Sequence, residues 1–98
     1  MAQLLDDAAI DEALAGLPGW IRDGDALVFT AKLSTFPAAI GVVDRVAEQA
    51  EALDHHPDID IRWRTLVFRC STHSEGGITD LDTGLAASIS QAVTAARG

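Results

Sequence analysis

All three histidines of this 98-residue chain fall within the span that runs from Asp54-His55-His56-Pro57 to Ser71-Thr72-His73. Imidazole has an ordinary pKa of about 6.5, so it can take up and release protons near neutral pH, and acid–base chemistry is expected here first. Glu51 and Asp54 stand beside the His55-His56 pair, and Asp82 follows His73. A structural role usually occupies one histidine at a time. Here two are adjacent, and the third follows a segment that reads as a strand hairpin.

Plainer readings stand beside this one. His55 and His56 could satisfy the last carbonyls of a helix. His55, His56 and His73 with Asp58 or Asp60 have the donor types of a metal site, but adjacent residues rarely aim at one ion and no usual zinc spacing is present. We therefore expect no metal. Thr79-x-x-Asp82 is itself a helix capping box, so Asp82 divides between a cap and a site role, and one side chain can fill both. Glu51 lies near a helix C-terminus, where a carboxylate opposes the dipole, which favours a function for it.

These residues need a scaffold, and composition points to one small domain over residues 1–98. Hydrophobic residues make up 48% of the chain and charged residues 22%, too apolar for disorder and too short for two domains. The net charge of −8 has the wrong sign for neutralising nucleic-acid phosphates or anionic lipid, so neither is an expected partner. Lone Cys70 cannot form an internal disulfide, and Asp6 and Asp7 stand where a leader would be basic; a cytoplasmic setting is expected. The uncharged stretch from Leu33 to Val43 is far short of the roughly 20 apolar residues of a membrane span.

Asp6, Asp7 and the spacing of Leu5, Ala9, Ala13 and Leu17 predict a first helix over about 6–16, stopped by Gly16 and Pro18-Gly19. Trp20-Ile21-Arg22, the Asp23-Gly24-Asp25 turn and the alternation from Ala26 to Leu33 predict a hairpin. Ser34 or Thr35 caps a second helix with Pro37 in its first turn and Ile40, Val43, Ala47, Ala50 and Leu53 on one face, ending near Leu53. His55-His56 then lies in a helix-to-strand connection, with His56 kept extended by Pro57. Ile59, Ile61 and Trp63 alternate as one strand and Leu66, Phe68 and Cys70 as the next, with a turn near Arg64-Thr65. Trp63, Trp20 and Cys70 read as packing residues. Thr72 to Gly77 reads as a loop, and Thr79 starts a last helix with Leu81, Leu85, Ile89, Val93 and Ala96 on one face. The order α-β-β-α-β-β-α predicts an α+β two-layer sandwich, a four-stranded antiparallel sheet with three helices on one face. An exposed sheet face, with Ala26 to Leu33 as an open edge, predicts self-association.

The run Glu51-x3-His55-His56-Pro57-x5-Trp63-x9-His73-x8-Asp82 resembles the motif of the pterin-4a-carbinolamine dehydratases, a family also called dimerization cofactors of a homeodomain transcription factor. Leu17-Pro18-Gly19-Trp20, Phe36, Ser71-Thr72-His73 and the segment from Gly77 to Asp82 resemble it at matching distances. The resemblance implies the same α+β fold, a homodimer or homotetramer, and a pterin substrate dehydrated without metal or organic cofactor. It makes His55, His56 and His73 the catalytic group. Glu51, Asp54 and Asp82 would be their supporting carboxylates. The pterin would lie against His55, His56 and Pro57 on one side and Thr72, His73, Ser74 and Glu75 on the other. Ile59 departs from the family, many members of which carry an aromatic residue there for stacking. The alternative is a non-catalytic binding module on the same scaffold, a dimerization cofactor or an assembly factor; three proton-transfer groups tilt the reading towards catalysis.

Overall fold

A computed structural model describes residues 2–97. The first helix, α1 (Asp7–Ala15), is capped by Asp6, whose carboxylate accepts the Ala9 amide at 2.8 Å, and it ends at Gly16. β1 (Trp20–Asp23) and β2 (Ala26–Lys32) form a hairpin in which Asp23 faces Ala26, leaving a two-residue turn with Gly24 at φ +60°. α2 (Phe36–Leu53) is capped by Thr35 and closed by Asp54 in a left-handed conformation. β3 (Asp58–Arg62) and β4 (Thr65–Cys70) form the second hairpin. A short 3-10 turn (His73–Glu75) leads to α3 (Asp80–Arg97). The element order is the one read from periodicity.

The strands form one antiparallel sheet in the order β1-β2-β4-β3. Leu27 and Ala31 of β2 and Leu66, Phe68 and Cys70 of β4 are buried in one core with Ile10, Val42, Val46, Leu85, Ile89 and Val93 of the helices. Strand side chains alternate between faces, so this set marks the covered side of the sheet. Trp20 closes the core beside β1; its ring stacks on Phe29 with centroids 5.1 Å apart, and its indole N–H donates to Ser90 Oγ at 2.7 Å. Gly19 is required there, because a Cβ would stand 2.8 Å from the Phe29 ring.

Four expectations need correction. β2 is interior, paired on both sides, and the open edges are β1 and β3. The core-facing apolar residues of β4 match those of β2 over a six-pair register, and a hairpin pattern read alone cannot show that second partner. The buried stripe of α2 is Ala39, Val42, Val46 and Ala50, of which only Ala50 was expected. This helix is apolar around more than half its girth, so spacing alone could not phase it. Ala96 of α3, at the far end of its stripe, is exposed.

The last correction is Trp63, which is 69% exposed and not core. Arg62 pairs with Thr65, so the chain reverses at Trp63-Arg64, one residue before the expected turn. Strand alternation ends where the strand ends. Trp63 takes φ +55° there, a left-handed conformation that costs a bulky residue on the order of 1–2 kcal/mol. The Arg64 guanidinium stacks over its ring at 4.7 Å. By these placements Phe68→Ala should lower unfolding stability in urea by roughly 3–5 kcal/mol. Trp63→Ala should change it by less than about 1 kcal/mol. A Trp63→Ala loss as large as that of Phe68→Ala would put Trp63 back in the core.

Candidate active site

Asp58 at the start of β3 faces Arg69 near the end of β4. The connection entering β3 and the one leaving β4 are therefore at the same end of the sheet, and they carry His55-His56-Pro57 and Thr72-His73-Ser74-Glu75. α2 delivers the first of them. Asp54 takes φ +51° at its C-cap, a conformation that Asp tolerates better than most residues, and the His55 amide then donates back to the Ala50 carbonyl. This double closure directs the His55 ring inward and leaves it only 9% exposed.

Inside, His55 meets Asp82. Nε2 of His55 lies 2.6 Å from Asp82 Oδ1, and the carboxylate is fully buried. Its other oxygen accepts the Thr79 amide at 2.9 Å and the Thr72 hydroxyl at 2.7 Å. A hydroxyl has one proton to give. Thr72 spends it on Asp82, so Thr79 donates in the 2.7 Å contact between the two hydroxyls, and Thr79 Oγ1 accepts the Leu81 amide. A directed chain of donors thus runs from the first turn of α3 into the carboxylate. As an ionised carboxylate Asp82 only accepts, so Oδ1 takes the His55 Nε2 proton, and in the neutral imidazole the lone pair then lies on Nδ1.

Asp82 is both a cap and an imidazole partner, so the two readings of the Thr79-x-x-Asp82 box hold together. Thr72, expected against the substrate, is buried, and its hydroxyl is turned to Asp82. Thr79 is the residue that site reasoning passed over, although the capping-box spacing named it.

His56 is exposed and meets Glu51 through Nε2 at 2.5 Å, so the second expected carboxylate–imidazole contact also forms. Asp54, the third expected carboxylate, serves at the backbone of the helix end, and no side-chain hydrogen bond joins it to an imidazole among the described residues. His73 opens the 3-10 turn with its side chain exposed, Ser74 is exposed, and Glu75 is half-buried. Gly76 closes that turn at φ +74°. Pro57 is half-buried at the entrance to β3. Among the described residues, no three His, Cys, Asp or Glu side chains converge as metal ligands. A groove of about 420 Å³ between α2 and α3 is lined by Ala38, Gly41, Val42, Arg45, Ala92, Ala95 and Ala96, none of which can exchange protons near neutral pH.

The sequence profile described as pterin 4 alpha carbinolamine dehydratase matches residues 3–92. The chain belongs to that family. A protein of Mycobacteroides abscessus, provisionally named pterin-4-alpha-carbinolamine dehydratase, is 59% identical over 86 residues, covering 88% of this chain and 92% of its own. A relative of the same name from Nocardia farcinica is 55% identical over 89 residues, covering 91% and 94%. The crystal structure of a transcriptional coactivator/pterin dehydratase from Brucella melitensis superposes with a TM-score of 0.90 at 31% identity, over 93% of this chain and 99% of that one. A pterin dehydratase-like protein described as a RuBisCO assembly factor of the alpha-carboxysome shares the fold at 15% identity and a TM-score of 0.66, over 76% and 89%.

Two outcomes are expected of this site. Thr72→Val and Thr79→Val each remove donors from a buried network and should cost roughly 1–3 kcal/mol by urea denaturation. Their double variant should cost less than the sum of the two. Additive losses would show that the hydroxyls act independently. Burial, aided by the charges of Asp82 and Asp58, pushes the Cys70 thiol from 9.0 up to about 12. The native protein should therefore resist alkylation at pH 8, where the unfolded chain reacts. The raised value stabilises the fold fully below pH 9.0, and that stabilisation is lost as pH rises towards 12. Rapid native labelling at pH 8 would contradict the burial.

Proposed function

We propose that this protein is a hydro-lyase that dehydrates 4a-hydroxytetrahydropterin to quinonoid dihydropterin, in pterin cofactor recycling, by acid–base catalysis from its own histidines. The observation that carries the reading is the buried Asp82 carboxylate on Nε2 of His55, at the sheet end that also presents His56 and His73. Family membership supplies the substrate class.

In the reaction the N5–H bond breaks, its electron pair forms the N5=C4a double bond, and the C4a–O bond breaks as the hydroxyl takes up a proton and leaves as water. His55, with Nε2–H held by Asp82, accepts the N5 proton at Nδ1. The imidazolium so formed faces a buried carboxylate, which offsets its charge. His56, oriented by Glu51, and His73 are exposed and supply the proton to the departing hydroxyl, exchanging it with solvent. Pro57, Ser74 and Glu75, on the same two connections as the histidines, contact the pterin in this reading. Thr72 acts through Asp82. No metal or organic cofactor takes part; the pterin is the substrate. The setting is cytoplasmic and the working form a homodimer or homotetramer. No helix among the described residues is long and apolar enough to cross a membrane.

A second reading, binding to a partner protein on the same scaffold, is favoured by one finding: the Brucella relative is described as a transcriptional coactivator as well as a pterin dehydratase. The two roles can coexist.

Chemically prepared 4a-hydroxytetrahydropterin should lose water faster with this protein than without it. Unchanged decay with folded protein would reject the dehydratase reading and leave the binding module. His55→Ala and His73→Ala should each slow the reaction roughly 100-fold or more. The melting temperature should fall far less than activity. Dialysis against a chelator should leave the rate unchanged; loss restored by zinc would overturn the metal-free assignment.

A further inference from the structure

The three histidines are not held alike. Among the described residues His55 and His56 each meet a carboxylate, whereas the His73 side chain has no hydrogen bond or ion pair. Its place is therefore set by the backbone that carries it. That backbone is a finger closed at its base: the Thr72 amide donates to the Gly77 carbonyl at 2.8 Å, and the Gly76 amide to the Thr72 carbonyl at 3.0 Å. One side of the base, Thr72, follows β4 by two residues and is bonded to Asp82. The other side, Gly77-Ile78-Thr79, meets the segment ahead of α1. Leu4 pairs antiparallel with Thr79, and the Leu5 amide donates to the Ile78 carbonyl at 2.9 Å. We propose that this segment is a strap that holds the His73 finger in place, with Leu4 as its positioning residue.

Leu4 is placed for that role by steric fit and not by burial. A Cβ on Gly77 would stand 2.9 Å from Leu4 Cδ2, so the leucine methyl lies against the bare backbone at the base of the finger. Backbone angles do not call for glycine there, since Gly77 is not among the residues at positive φ. The missing side chain makes room for Leu4. Yet Leu4 is 56% exposed, so it buries too little apolar area to matter much to the core. The strap is anchored on its far side, where Leu5 packs against the core and Asp6 caps α1 through the Ala9 amide.

Displacing Leu4 loosens one side of the finger while Thr72, Thr79 and Asp82 keep their mutual bonds and His55 keeps its carboxylate. The imidazole that moves is His73. A proton-transfer group misplaced by about 1 Å can cost about 100-fold in rate. Leu4 acts through His73 and touches no reacting atom. The effect on rate rests on the dehydratase reading; the holding of the finger does not.

Amide hydrogen exchange and steady-state rates on the full chain test the strap. In Leu4→Ala the Thr72 and Gly76 amides should exchange on the order of tenfold faster, with the β4 amides and the melting temperature nearly unchanged. The kcat for dehydration should fall on the order of tenfold, with a smaller change in KM. Leu4→Met should keep both at wild-type values. Gly77→Ala pushes the leucine methyl aside and should reproduce the loss; combined with Leu4→Ala it should add little, because both changes break one contact. In a His73→Ala background, Leu4→Ala should lower kcat no further. Wild-type exchange at Thr72 and Gly76 in Leu4→Ala overturns the strap. Faster exchange with wild-type kcat, or an undiminished loss of rate in the His73→Ala background, overturns its action through His73. A melting temperature that falls in step with kcat assigns Leu4 to stability and overturns positioning. A wild type that does not accelerate dehydration overturns the dehydratase reading and the effect on rate, while faster exchange in Leu4→Ala still supports the strap.

Discussion

The structure depends on one buried carboxylate. Asp82 has no exposed surface, and a carboxylate taken out of water is tolerable only when donors replace its hydration. The donors come from three places: the exit of α2 through His55, the exit of β4 through Thr72, and the capping turn of α3 through Thr79. Satisfying this one charge therefore sets where three connections of the chain must lie. The N-terminal segment is tied to the same point, since the Leu5 amide donates to the Ile78 carbonyl beside Thr79.

That constraint also fixes one imidazole of the site. A free neutral imidazole exchanges between two tautomers and many orientations, whereas His55 has Nε2 committed to the buried Asp82. The hydroxyl relay behind Asp82 keeps its lone pairs occupied, so a loss at Thr72 or Thr79 reaches the imidazole without touching it. His56 and His73 are exposed at the same sheet end, where both meet water. In the proposed dehydration, an inner, oriented histidine and two outer, exchanging ones would divide the work of moving two protons. A metal would have to compete with this division, because His55 already spends a nitrogen on Asp82.

Much of this was legible from residue types and spacing. The capping box announced both the start of α3 and the acid that reaches back from it, and the alternation of Leu66, Phe68 and Cys70 marked the covered face of the sheet. Other features depend on tertiary partners. The left-handed turn at Trp63-Arg64 lacks the Gly or Asn that usually signals one, so the strand pattern ran past its end and Trp63 passed for core. α2 has apolar residues on neighbouring stripes, and only contact with the sheet and α3 selects Ala39, Val42 and Val46. The family resemblance set Thr72 against the substrate, whereas its hydroxyl turns inward to the buried acid behind it.

The proposed reaction depends on His55 holding its proton on Nε2 and its lone pair on Nδ1, towards the pterin. The most direct measurement is the nitrogen-15 NMR spectrum of the histidine side chains, with and without 7,8-dihydropterin. His55 should appear as the Nε2–H tautomer, its Nδ1 resonance alone moving strongly on binding, and Thr79→Val should disturb that tautomer while Thr79→Ser retains it. A His55 with its proton on Nδ1, or one unmoved by a bound dihydropterin, would contradict the account.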